Sequence, residues 1–122
     1  MVDSSIWIDY FRGKDPLGRL DQLIENNLIV INELILAELV PYLKIQKQEK
    51  LIVLLETVEK VPLHIDWKEI INMQTQCIRK GVNKVGIPDL LIAQNAIHNQ
   101  LQLYSSDKHF TLMAEFLDLE MF

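Results

Sequence analysis

The sequence predicts an α/β chain: a central, mostly parallel sheet of about four or five strands with helices on both faces. Two observations carry that expectation. Short apolar runs alternate with longer segments of helical period along the chain, the pattern of strand–helix–strand units that pair in parallel. The 122 residues, 49% of them hydrophobic, form no repeat, no low-complexity tract and no linker rich in Pro, Gly or Ser. That length and apolar content suit a single domain over residues 1–122 with a real core.

The elements follow in order. Met1–Ser4 reads as the end of a strand that looks truncated, since only Met1 and Val2 precede Asp3: either it is very short or it begins upstream. A helix covers about Ser5–Phe11, and "GKDP" is a turn. A second helix runs from Pro16 to Asn26 with Leu17, Leu20, Leu23 and Ile24 on one face. "LIVIN" (28–32) is a buried strand. A third helix spans Glu33–Leu43, where Pro41 invites a kink. Residues 46–60 form an amphipathic helix, and "VPLHI" (61–65) a short strand. Asp66 caps a helix to Lys80. "GVNKVGIP" is a loop. Pro88 and Asp89 open a helix to Asn99, since proline suits a first helical turn. "LQLYS" (101–105) is a strand, Ser106 or Asp107 caps a short helix to Ala114, and "FLDLEMF" closes as an edge strand.

Composition narrows the function classes. No apolar run approaches the ~18 residues of a membrane span. The segment "MVDSSIWIDYF" lacks a basic stretch and carries Asp3 and Asp9, unlike a secretory leader. Cys77 is the sole cysteine, so neither an internal disulfide nor a cysteine-built zinc site is available. A cytoplasmic protein fits both points. The net charge of −5 argues against wrapping nucleic acid by backbone charge alone. It does not argue against reaching phosphate through metal ions, because bound dications reverse the local field of carboxylates.

Four acids stand out. In "ILAELV" (35–40), Glu38 sits in an apolar run. Its neighbours at helical spacing are Leu34, Ile35, Pro41 and Tyr42, none of them cationic. An ionised carboxylate on an inward apolar face costs several kcal/mol unless compensated. Asp3 and Asp107 follow strands directly, and Asp89 opens a helix. In open parallel sheets, sites form beyond the carboxyl ends of the strands. Each aspartate taken alone is explained by helix capping or by a first-turn position. Taken together, the four predict a carboxylate cluster whose mutual repulsion is offset by Mg2+ or Mn2+, both partners of hard oxygen ligands.

The blocks "VDSSIWIDYF", "ILAELV", "IPDLLIAQNA" and "LYSSDKHF" resemble, in this order and over nearly the whole chain, those of PIN-domain proteins, especially the VapC-type toxin ribonucleases. The resemblance implies that Asp3, Glu38, Asp89 and Asp107 are the catalytic, metal-binding acids of a Mg2+- or Mn2+-dependent endoribonuclease. It implies hydrolysis of RNA by a metal-activated water, leaving a 5′-phosphate and a 3′-hydroxyl. RNA that is single-stranded or looped suits such a cleft. It also implies a type II toxin–antitoxin pair, with a cognate antitoxin and a homodimer as partners. Ser105 stands where the family often has threonine. His109 stands where many members carry another acid, a departure from the pattern.

The remaining residues have plainer readings. Arg12, Lys14, Lys84 and Lys108 flank the acidic blocks and are candidate phosphate contacts, though solvated cations are the simpler assignment. His64, His98 and His109 show no i, i+4 zinc spacing, and a substrate contact is not expected of His109. Trp7 and Trp67 are expected to anchor helices to the sheet. The apolar surface of the third and fourth helices is expected to serve the homodimer or an antitoxin groove. Two alternatives share the fold class: a phospho-receiver domain, which lacks its early acidic pair here, and a non-catalytic α/β binding module.

Overall fold

The computed structural model describes all residues, Met1–Phe122, in two compact units, Met1–Val61 and Pro62–Phe122. In the first unit Asp3 caps helix α1 (Ser4–Phe11), its carboxylate accepting from the Ser5 amide. A short 3-10 turn, Pro16–Gly18, leads into α2 (Arg19–Glu25). Strand β1 (Val30–Ile31) is followed at once by α3 (Glu33–Ile45) and α4 (Glu49–Thr57), and β2 (Glu59–Lys60) ends the unit. β1 and β2 pair in parallel, Val30 opposite Glu59 and Ile31 opposite Lys60. The Val2 amide donates to the Val30 carbonyl over 3.2 Å.

The core of this unit follows from helix periodicity. α3 buries Ile35, Leu36, Leu39 and Leu43, and packs against both α1 and α4. Asn32 fixes where it begins: fully buried, its side chain accepts from the Ile35 amide at 2.8 Å. The helix runs through Pro41 without a break. Pro41 and Ala37 are both exposed, so water reaches the Ala37 carbonyl that proline leaves without an amide. Trp7 is fully buried and stacks on Phe11 at 5.8 Å. Its indole Nε1 is buried without a hydrogen-bond partner.

The second unit holds α5 (Trp67–Arg79), α6 (Ile87–His98), β3 (Gln102–Leu103), α7 (Lys108–Met113) and β4 (Glu120–Met121). β3 and β4 are parallel, Gln102 opposite Glu120 and Leu103 opposite Met121. α5 packs on α6. α6 is apolar round most of its circumference and is buried from Ile92 to Ala96, the signature of an interior helix. Two buried amides there are satisfied. Gln94 accepts from the Asp66 amide and donates to the Asp66 carbonyl and to Glu69, while Asn95 donates to the Pro62 carbonyl.

Helix positions match the sequence reading closely; the sheet does not. In place of a central sheet of four or five strands there are two separate two-residue parallel pairs. Parallel pairing itself is as expected. The strands are short because capping and turn residues consume their ends. Asn27 takes a left-handed φ of 54°, Leu28 is exposed, and Asn32 already belongs to the α3 cap, leaving two paired residues of "LIVIN". "VPLHI" is not a strand. Val61 still donates to Ile31 at 2.8 Å, but Pro62 has no amide with which to continue, and the pairing lies one step earlier. The fourth helix ends at Thr57 rather than residue 60. Leu17 is not on the apolar face of α2: its φ is 59° and it is 88% exposed, because the chain turns there before the helix starts. Trp67 is 57% exposed and so is not the buried anchor expected, in contrast to Trp7. No helix is long and apolar enough to cross a membrane.

Candidate metal centre

Three donor groups converge in the second unit. Ligand atoms of Asp89, Asp107 and His109 all lie within 4.8 Å of one another, and each residue is partly exposed. Their placement follows from local chain geometry. Gly86 precedes α6 in extended conformation, Ile87 and Pro88 start the helix, and Asp89 falls in its first turn. Asp107 is the N-cap of α7, and its Oδ1 accepts from the His109 amide at 2.9 Å. The Ser105 hydroxyl accepts from the Asp107 amide at 3.0 Å, so both the backbone amide and the carboxylate of Asp107 are held. The cap brings His109 back toward the carboxylate, with Nδ1 to Asp107 Oδ1 at 3.3 Å.

The donor set suits a divalent cation. Two carboxylates are hard, anionic oxygen donors, and a neutral imidazole is a common ligand of the later first-row ions. Donors bound to one ion at ~2.1 Å stand about 3 Å apart when adjacent and about 4.2 Å apart when opposite. Separations under 4.8 Å therefore need only small side-chain rotations to close on an ion. The capping bond occupies an edge of Asp107 Oδ1 and leaves lone-pair sites, since a carboxylate offers about four.

Of the four acids singled out from the sequence, Asp89 and Asp107 come together here. Asp3 and Glu38 lie in the first unit. Asp3 is buried, 4% exposed, and accepts from the Ser5 hydroxyl at 2.9 Å as well as from the Ser5 amide. Ser5 therefore completes the cap through its amide and its hydroxyl. Glu38 requires a correction. It does not lie on an inward apolar face; it is exposed. The buried stripe of α3 is centred more than 100° from it at ~100° per residue, and its neighbours Pro41 and Tyr42 are themselves exposed. Apolar neighbours in sequence do not make a buried position. An exposed carboxylate does not carry the burial cost that an inward one would, so burial gives no argument for a metal at Glu38.

His109, which the resemblance placed where many family members carry an acid, was not counted among the candidate ligands. The search for histidines at i, i+4 could not find it, because this group is assembled from a capping turn and a separate helix start. The available signal was its place two residues after a strand-end aspartate. Among the flanking cations, Arg12, Lys14, Lys84 and Lys108 are all exposed. Cys77 is buried in α5, and burial pushes its thiol above the ordinary range.

The model of the PIN domain family matches residues 1–115. No curated protein matches the chain.

Proposed function

The chain belongs to the PIN-domain family, whose members are in general metal-dependent nucleases, and from that premise we propose that it is an endoribonuclease dependent on Mg2+ or Mn2+. The observation that carries the reading is the convergence of Asp89, Asp107 and His109 in a chain that matches the family over residues 1–115. Asp89 and Asp107 hold the ion; Asp3 and Glu38 are further candidate metal-binding acids by likeness to the family alone. When bound, the ion polarises the phosphoryl oxygens and lowers the pKa of its water. Asp107 is kept in place by its bonds to Ser105 and the His109 amide, so its carboxylate needs little reorganisation to bind. Lys108, next to Asp107 and exposed, is the candidate contact for a substrate phosphate, with Arg12, Lys14 and Lys84 as further ones.

The finer assignment is the toxin of a type II toxin–antitoxin pair, VapC-type and cytoplasmic, acting on RNA as a homodimer and neutralised by a cognate antitoxin. Its support is the order of the four sequence blocks together with the surface of α3 and α4. There a depression of about 460 Å3 is lined by Lys44, Lys47, Glu49, Ile52, Val53 and Glu56, a mixture of charge and apolar surface suited to a peptide segment.

The test is cleavage of structured RNA with Mg2+ or Mn2+ by the wild type and by Asp89→Asn, with circular dichroism on both. Expected are metal-dependent cleavage by the wild type and a loss of at least about a hundredfold in the variant, in line with removing a group that stabilises transition-state charge. Equal cleavage by two folded proteins would sink the assignment.

A further inference from the structure

We infer that His109 is itself a metal ligand, and that its nitrogen shifts the preference of this centre away from Mg2+ toward Mn2+ and the later first-row ions. This rests on the proposed metal-dependent function and deepens it by naming a ligand and an ion class. The geometric case is direct. The imidazole belongs to the donor group whose ligand atoms lie within 4.8 Å, alongside Asp89 and Asp107. It is tied to Asp107 twice, through the backbone amide at 2.9 Å and through Nδ1 at 3.3 Å, so it cannot move far from that carboxylate. About one third of its side chain is exposed, so the ring is not committed to the core and can turn onto an ion at little cost.

The chemical case concerns ligand hardness. Mg2+ is bound almost wholly through oxygen and gives up its waters reluctantly. Imidazole suits Co2+, Ni2+ and Zn2+ well, and affinity for a nitrogen-containing site rises along the series from Mn2+. A centre of two carboxylates and one imidazole therefore binds these ions more tightly than an all-carboxylate centre of the same size, while its hold on Mg2+ gains nothing. His109 thus acts on the identity of the ion rather than on the total charge of the site.

The test uses the full chain and reads binding rather than cleavage. Mn2+ bound to the wild type is examined by pulsed electron paramagnetic resonance for a nitrogen coupling, and Mn2+, Co2+ and Mg2+ are titrated calorimetrically. Expected are an imidazole nitrogen coupling in the wild type and its loss in His109→Gln. The same variant should bind Mn2+ and Co2+ about tenfold more weakly or worse, with Mg2+ changed by less than about threefold. His109→Asp should raise Mg2+ affinity relative to Co2+. Mn2+ bound without nitrogen coupling, and lost in Asp89→Asn but not in His109→Gln, would overturn the inference and leave the metal-dependent reading standing. No Mn2+ binding by the folded wild type would overturn both. The wild-type spectrum does not depend on any variant folding.

Discussion

Single side chains here do more than one job. Asp107 caps α7 and offers a carboxylate to the candidate centre, and Asp3 caps α1 while remaining almost fully buried. A cap bond from a backbone amide fixes the direction of a carboxylate relative to the start of the helix. Tyr10 shows the same coupling on the surface. Its hydroxyl donates to Asp21 Oδ1 at 2.7 Å, and that bond, with the negative charge of Asp21 behind it, pushes the phenol from 10.0 up to about 12. The neutral phenol is therefore favoured in the folded state, so its stabilisation is whole below pH 10 and is lost as pH rises from 10 to about 12. Thermal melts of the wild type should fall more steeply across that window than those of Tyr10→Phe. Parallel curves would show that the bond contributes nothing in solution.

At the scale of the element, helices are specified by stripes and ended by caps, and α5 makes this testable. Ile70, Met73 and Cys77 are buried, whereas Ile71 and Ile78 are exposed at 64% and 66%. The sequence "WKEIINMQTQCIR" puts Ile70 and Ile71 side by side with nothing in their chemistry to separate them. The packing of α5 on α6 separates them. Ile71→Lys should leave stability within about 0.5 kcal/mol, as surface changes usually do. Ile70→Lys buries an uncompensated charge and should cost several kcal/mol. Urea unfolding of the two variants checks this, and equal losses would mean that the helix is rotated from the orientation described. The start of α5 is also fixed from outside the helix: Gln94 bridges the Asp66 backbone and Glu69, which in turn meets His98 at 2.9 Å.

For the whole molecule, the proposed homodimer gives a measurable expectation. Tyr42 and Ile45 on α3 and Val53 on α4 are exposed, at 40%, 78% and 58%. Light scattering should give twice the chain mass of 14.2 kDa for the wild type, and 14.2 kDa for Val53→Lys if this face is the contact. A wild type at 14.2 kDa would remove the dimer from the reading. Much of the architecture was legible in the chain. The positions of α3 to α6, the cap at Asp66, the choice of Ser106 or Asp107 as the cap of α7, the proline start of α6 and the parallel sense of pairing all follow from rules that act over a few residues. Of the four acids singled out in the chain, the structure groups Asp89 and Asp107. The extent of the strands, the exposure of Glu38 and Trp67 and the place of His109 were not legible. Strand pairing and burial depend on segments distant in sequence, so neighbouring residues carry no information about which face is covered. By itself the sequence determined which segments are helical and the parallel sense of the strand pairing. Tertiary structure alone decided which side chains meet water and that an imidazole stands beside two carboxylates, because only the folded backbone sets distances between residues that share no local period.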